Sequence, residues 1–411
     1  LMARMVDSLL TGQQGCLMSV AVGNEGNRNS TLIGRSVKSV WKVPAAGADQ
    51  LFVETRPGDS CSVRLLLKDK NSSEVFFDHT FSTGKIWSER YDSFGSADKT
   101  RASLVASCIK NDVTGAYAIS FHVGYSQQSS EEWSVEIEST NQRVFAYSNN
   151  GYFSAEGYEG YVDGTNSSTV AMTATGNEPI AVGATVSKNR YVSISGVETI
   201  KPWAISGRYP LSALGPCSDG RIKPDVVAPG ASVVSSYNSF AAARTVKGAD
   251  VVYRKTVGGK TFYWYVENGT SMAAPTVAGV MALWLQAKPT LTTAEVRTLL
   301  AKTSYYNSSM GQLPNNQYGM GQINALAGMR ELLNTTSLSE IPTTASALYA
   351  YDAVTEMLST QATRYIFVYS IDGQLLLQTS HQNLSLSGLP AGLYLVRLIG
   401  LQGEEIIKLR K

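Results

Sequence analysis

Two hydrophobic periods alternate along this chain. At the start, Met5, Leu9 and Leu10 have the spacing of one helix face, and Gly12 and Gly15 end that helix. The apolar run Leu17 to Val22 then predicts a buried strand, closed by Gly23-Asn24-Glu25-Gly26. From about residue 32 the period becomes two. Tyr117, Ile119, Phe121, Val123 and Tyr125 alternate with Ala118, Ser120, His122 and Gly124, and Trp133, Val135 and Ile137 with Ser134, Glu136 and Glu138. Val63, Leu65 and Leu67 repeat the pattern, and turn-rich pieces such as Arg56-Pro57-Gly58-Asp59 and Lys70-Asn71-Ser72-Ser73 separate the runs. Short strands with one buried face and no helical spacing predict a β-sandwich.

From about residue 160 the α/β pattern returns. Ile180 to Val186 and Val226 to Gly230 are predicted buried strands, and Met272 to Gln286 an apolar helix, buried along Val277 to Leu285. Thr292-Thr293-Ala294-Glu295 is a capping box that starts a further helix. A linker rich in Ser, Thr and Pro leads to a last β-rich piece. There Tyr365 to Tyr369 and Leu375 to Leu377 flank the hairpin turn Asp372-Gly373, with further strands at Leu393 to Leu398 and Ile406 to Leu409.

With 411 residues the chain is expected to hold two or three domains. A net charge of +2 gives no reason to expect nucleic acid or acidic lipid as the main partner. No apolar run reaches the roughly 18 residues of a membrane span. The opening Leu1-Met2-Ala3-Arg4 lacks the layout of a signal peptide and reads as the middle of a domain, so the chain is expected to be a fragment or processed piece. Cys16, Cys61, Cys108 and Cys217 have no metal-type spacing. Spacing leaves a Cys61–Cys108 disulfide open, with buried free thiols the plainer expectation.

The chemistry concentrates in Asn268-Gly269-Thr270-Ser271-Met272-Ala273-Ala274-Pro275. A serine at the mouth of a helix gains a free backbone N–H and the favourable end of the helix dipole. Small residues beside it let a substrate backbone come close. A serine nucleophile also needs a base, a group to orient that base, and donors for the oxyanion. Taken alone, a Gly-Thr-Ser turn is most often an ordinary helix cap.

Five segments in order carry a resemblance. The stretch NGTSMAAPTVAGVMALW resembles the serine segment of the subtilisin-like serine proteases (subtilases), and VAVGNEGN at 20–27 their oxyanion segment. EPIAVGATV, SDGRIKPDVVAPGASVVSS and YGMGQINALAG resemble the core strands, the intervening loop and the closing helix. The resemblance implies a partial subtilisin-like parallel-sheet core over 1–31 and 160–332. A jelly-roll-like β-sandwich is then inserted over 32–159, with a linker over 333–344 and a small all-β domain over 345–411. It implies a secreted serine endopeptidase with Ser271 as nucleophile and Asn24, with the Ser271 N–H, as oxyanion donor. Ala21, Val22, Gly23, Gly269 and Thr270 would contact the polypeptide substrate. No cofactor is evident; calcium is common in the family, but no ligand cluster stands out.

The chain departs from the family pattern in one decisive respect. The family's aspartate and histidine precede the oxyanion asparagine and have no counterpart here, so the chain alone is expected to be inactive and to need the missing N-terminal segment. His79 and His122 lie in the insert and His381 near the end, each expected at the surface; Asp219 and Asp225 suit turns and loops. The alternative is a catalytically dead homologue serving as a binding or scaffold protein. At the end of the chain, IFVYSIDGQLLLQ and LSLSGLPAGLYLVRL resemble the C-terminal sorting domains of type IX secretion substrates in Bacteroidetes, which implies an extracellular or cell-surface bacterial protein.

Overall fold

A computed structural model describes residues 2–44, 47–94, 102–112, 114–125, 130–238, 240, 248–335, 349–361, 363–400 and 403–411. The chain divides into two compact units, Leu1–Ala282 with Thr290–Ile323, and Leu283–Pro289 with Asn324–Lys411.

At the centre of the first unit is a parallel sheet in the order Ser19–Ala21, Ile180–Val186, Val226–Ala231. Its middle strand is buried at every position, because it is paired along both edges; small and β-branched residues suit such a place. The first helix, Met2–Leu10, is followed by Gly12 and Gly15 at positive φ. Its Asp7 carboxylate accepts the N–H groups of Asn177 (2.9 Å) and Glu178 (2.8 Å), fixing the helix to the approach of the middle strand. Lys223 is almost wholly buried. Its ammonium donates to Asp225 Oδ2 (2.6 Å), which also accepts the Ala181 N–H (2.7 Å), while Arg297 donates to Asp225 Oδ1 (3.2 Å). Asp225 therefore joins two parallel strands to a helix, a larger role than the loop position expected for it.

Several sequence expectations need correction. The run Leu17 to Val22 is only half-buried, because Ser19–Ala21 pairs along one edge; Val22 alone is fully buried. Met5 and Leu9, for which the helical spacing sets no burial, are 62% and 66% exposed. The serine helix, Thr270–Ala287, is not buried throughout: Ala278, Gly279 and Ala282 face solvent. Apolar spacing identifies these faces, but the described residues of this unit do not cover them. Cys16 is exposed, whereas Cys61, Cys108 and Cys217 are buried, and all four thiols are free. Burial pushes the Cys61 thiol up to about 12 and that of Cys217 to about 11, so both stay protonated.

The insert is a sandwich of two antiparallel sheets. One is five-stranded, in the order Tyr152–Ser154, Ser36–Lys42, Glu131–Ser139, Cys61–Asp69, Val75–Ser82. The other is six-stranded: Thr31–Gly34, Val144–Ser148, Gly47–Glu54, Tyr117–Tyr125, Ala102–Lys110, Trp87–Phe94. The alternation legible in the sequence supplies the core, including Val63, Leu65, Leu67, Ile119, Phe121, Trp133, Val135 and Ile137. Buried Asp49 accepts the Trp41 indole N–H (3.1 Å), the Ser148 hydroxyl (2.7 Å) and the Gly151 N–H (3.0 Å). Asp59 closes the other end.

Two smaller sheets flank the parallel one. Val233–Tyr237, Lys260–Glu267 and Val251–Val257 form a three-stranded antiparallel sheet in that order, and Arg190–Val192 pairs with Glu198–Ile200. The helix Thr293–Thr303 begins with the expected capping box: Thr292 Oγ1 accepts the Glu295 N–H, and Glu295 Oε2 accepts the Thr292 N–H.

In the second unit, the Trp284 indole N–H donates to Ala325 O (3.1 Å), and its ring lies where a side chain on Gly328 would stand. The helix Ala325–Thr335 is followed by a β region. Its four-stranded sheet runs Leu375–Thr379, Thr363–Ser370, Leu393–Gly400, Gly403–Arg410, around buried Ile366, Val368, Val396, Leu398 and Leu409. The Asp372-Gly373 turn forms as expected, with Gly373 at φ 84°. From residue 336 on, the expected linker lies outside the described residues.

Two measurements check these tethers. Burial opposes the charged form of Asp59. The N–H groups of Gln142, Ser60 and Asn141 and the Ser139 hydroxyl outweigh it and hold the carboxyl below its usual range. A depressed folded-state pKa contributes stability above the unfolded value of about 4, lost as pH falls through the folded value. Asp59→Asn should flatten the pH dependence of unfolding below about pH 4. Lys223→Met should cost about 2–3 kcal/mol in urea unfolding, less than fully orphaning a buried charge because Arg297 remains on Asp225.

Candidate active site

Three backbone constraints place Ser271. Gly269 sits at φ 141°, open to glycine but strained for side-chain-bearing residues, and its N–H donates to Gly230 O (2.8 Å). Asn268 Oδ1 accepts the Ser232 N–H (2.7 Å), pinning the turn to the end of the parallel sheet. A Cβ on Gly230 would lie 2.6 Å from Ala184 Cβ and 2.7 Å from Gly269 O, so sheet and turn meet at a contact that admits no side chain. Further along, the Ser19 hydroxyl donates to Ala274 O (2.9 Å), tying the helix to the first strand. Ser271 is thus exposed in the first turn of its helix, where N–H groups have no intrahelical acceptor. Its Oγ makes no hydrogen bond among the described residues.

Asn24 arrives from the opposite outer strand of the same sheet, just past the carboxyl end of Ser19–Ala21. Its Oδ1 accepts the Thr270 N–H (3.0 Å) and lies 3.2 Å from the Thr270 hydroxyl. An N–H can only donate, so the atom facing it must be the amide oxygen. The Asn24 NH2 is therefore turned away from Thr270, and it makes no hydrogen bond among the described residues. The Thr270 hydroxyl also accepts the Gly23 N–H (3.3 Å) and reaches Gly23 O (3.1 Å). Residues 246 positions apart are held as one structure.

The remaining expected contacts divide. Ala21 and Gly23 are half-buried beside Asn24. The side chain of Val22 instead packs with Val170, Ala174, Ala181 and Ala213 in the core, leaving only its backbone for a pocket. Gly269 and Thr270 are buried; the Thr270 side chain supports Asn24 from within, and Gly269 sets the turn before Ser271. Glu25 was not anticipated. Its Oε2 accepts the Asn24 N–H (2.7 Å) and would lie 2.8 Å from a Cβ on Gly23. The available signal was an acidic residue in the turn after the strand.

Neither histidine of the first unit is placed as a base for Ser271. His79 lies among Phe77, Phe81, Tyr91 and Glu89 in the sandwich, His122 stacks edge-on to Phe52, and His381 belongs to the second unit. Asp219 is taken by Arg221. Among the described residues, no group of three or more His, Cys, Asp or Glu is arranged to hold a metal.

The family model for the Subtilase family matches residues 86–321, more than half of the chain. The chain belongs to the subtilase family. The matched span takes in Ser271 and much of the sandwich, while the Asn24 segment lies ahead of it. This subtilase is 32% identical over 164 residues to the serine protease AprX of Bacillus subtilis, covering 39% of this chain and 32% of that protein. It is 40% identical over 93 residues to a subtilisin of Bacillus pumilus, covering 23% of this chain and 31% of that protein. The chain thus spans about a third of the length of these relatives. Its fold is similar to that of the CspB protease of Clostridium perfringens, with TM-score 0.56 and 17% identity over 81% of this chain and 62% of that one.

The close contact at Gly230 is testable. Gly230→Ala should destabilise the subtilase by about 1–3 kcal/mol by overpacking the turn. Gly279→Ala, on the open face of the serine helix with nothing within 4 Å, should be neutral or stabilising; thermal unfolding of both variants separates the two outcomes.

Proposed function

We propose that this subtilase is a serine endopeptidase that cleaves peptide bonds through an acyl-enzyme on Ser271. Ser271 Oγ attacks the scissile carbonyl carbon, a base takes its proton and passes it to the leaving amine, and water then releases the acyl group by the reverse sequence. The developing oxyanion is received by Asn24 Nδ2 and the Ser271 N–H. The observation that carries this reading is the fixed amide of Asn24, held through its oxygen by the residue before Ser271. A donor oriented in advance needs no reorganisation when charge develops, and that is how such donors lower a barrier.

The base and its orienting carboxylate are proposed to come from a segment of the same protein preceding residue 1, and the 411-residue chain alone to be inactive. Support comes from the placement of His79 and His122 in the sandwich and from surfaces suited to a covering segment: the edge of Ser19–Ala21, which pairs with no strand among the described residues, and the exposed Met5 and Leu9. The division into a split catalytic core, sandwich insert, linker and terminal β domain belongs to the same proposal. So does delivery to the cell surface or beyond through the terminal β domain. No helix among the described residues is long and apolar enough to cross a membrane. No step is assigned to calcium.

A fluorophosphonate probe tests the chemistry. In the complete protein it should label Ser271, and Ser271→Ala should abolish labelling; an unlabelled complete protein would favour a scaffold role. Peptide hydrolysis by the isolated 411-residue chain would overturn the requirement for an outside base. Asn24→Ala should lower kcat on the order of 100- to 1000-fold, the cost measured for losing the oxyanion asparagine of subtilisin.

A further inference from the structure

The strand Lys260–Glu267 runs directly into Asn268-Gly269-Thr270-Ser271. One end of the three-stranded sheet therefore lies four residues from the nucleophile, at most about 14 Å along the chain. The mechanism uses nothing in this sheet beyond that connection.

Its outer strand, Val251–Val257, is exposed from Tyr253 onward, and Phe240 stands over Lys260 on the neighbouring strand (3.7 Å). Register places Tyr253 opposite Trp264, Lys255 opposite Phe262 and Val257 opposite Lys260, all on one face. The Tyr253 and Trp264 rings meet at 5.1 Å, and Tyr253 is 53% exposed. Arg254 projects from the opposite face of the same strand. Residues 251–266 contain these three cations and no aspartate or glutamate. The nearest carboxylate on the amino-terminal side, Asp250, is held at the base by the Tyr191 and Tyr265 hydroxyls (2.5 and 3.2 Å). Val251–Val257 is an edge strand. The Ile194 N–H caps its Val251 carbonyl, and no further strand pairs beyond that point among the described residues.

A free strand edge takes an extended polypeptide by main-chain pairing, and the flanking side chains select what pairs. Here aromatic rings supply contact area, and cations on both faces of the edge favour acidic side chains wherever they project. We infer that this edge is an accessory site for an extended, acidic segment of the polypeptide substrate, continuing beyond the bond presented to Ser271. The identity of the occupant as substrate rests on the serine endopeptidase reading; the preference for an acidic extended chain rests on the sheet alone.

The test uses the 411-residue chain and three fluorescent dodecapeptides of alternating sequence: Glu-Thr, Gln-Thr and Lys-Thr. By anisotropy at low salt, the Glu peptide should bind about tenfold more tightly than the Gln peptide and the Lys peptide least, with the preference shrinking as salt rises. The triple variant Arg254→Glu, Lys255→Glu, Lys260→Glu, changed only at exposed positions, should lose the Glu peptide and gain the Lys peptide. Equal binding of all three peptides, no binding, or an unchanged triple variant would overturn the inference. So would concentration-dependent dimerisation that the triple variant abolishes, since the occupant would then be a second copy. Ser271→Ala should bind as the parent chain does. A failure of the peptidase chemistry therefore leaves this result standing, and labelling of Ser271 without peptide selectivity removes only the accessory site.

Discussion

Thr270 holds Asn24 by its side-chain oxygen, and through that contact the chain segments leaving the carboxyl ends of the two outer strands of the parallel sheet are held as one arrangement. Neither residue would serve alone. A free asparagine at the end of a strand presents oxygen or nitrogen indifferently, and a serine at a helix mouth is ordinarily a cap. The Thr270 N–H removes the first ambiguity, since only an acceptor can face it. The glycines on either side remove the second. Gly269 takes a backbone angle that strains other residues, and Gly230 lets the turn approach the sheet more closely than any side chain permits.

Much of the framework exists to hold these two ends in register. The middle strand Ile180–Val186 pairs with both outer strands, and Asp225 binds its Ala181 N–H together with Lys223 and Arg297. The sandwich lies in the chain between Asn24 and this strand. It closes on its own core and on buried carboxylates such as Asp49. The chain leaves the sheet after Asn24 and returns to it through a self-contained fold.

The sequence revealed what depends on local geometry. Alternation through Trp133, Val135 and Ile137 gave the sandwich face, the Thr292–Glu295 pair gave a helix start, and the glycine turn singled out Ser271. Relations between residues distant in sequence were not legible. Nothing local marks Lys223 as buried, Asp225 as the partner of a helix 72 positions away, or Glu25 as the acceptor for the Asn24 N–H. The burial expected along Val277 to Leu285 fails at Ala278, where the apolar run is real but its cover is not specified, and the sequence leaves the cover of Met5 and Leu9 equally open. Met5, Leu9 and Ala278 have core-like character and face solvent in this chain. Val22 and Thr270 erred the other way, lying near the site in sequence while pointing into the interior.

The hydroxyl half of the clamp between Thr270 and Asn24, which works beside the backbone N–H, can be measured by a double-mutant cycle on the rate at which a fluorophosphonate modifies Ser271 in a protein that includes the proposed preceding segment. Thr270→Ala acts through Asn24 if the hydroxyl's role is to orient the amide. Its cost should then be clear in the parent protein and largely vanish in an Asn24→Ala background. Equal costs in both backgrounds would mean that the Thr270 hydroxyl and Asn24 act independently, and that the hydroxyl contact does not orient the amide for catalysis.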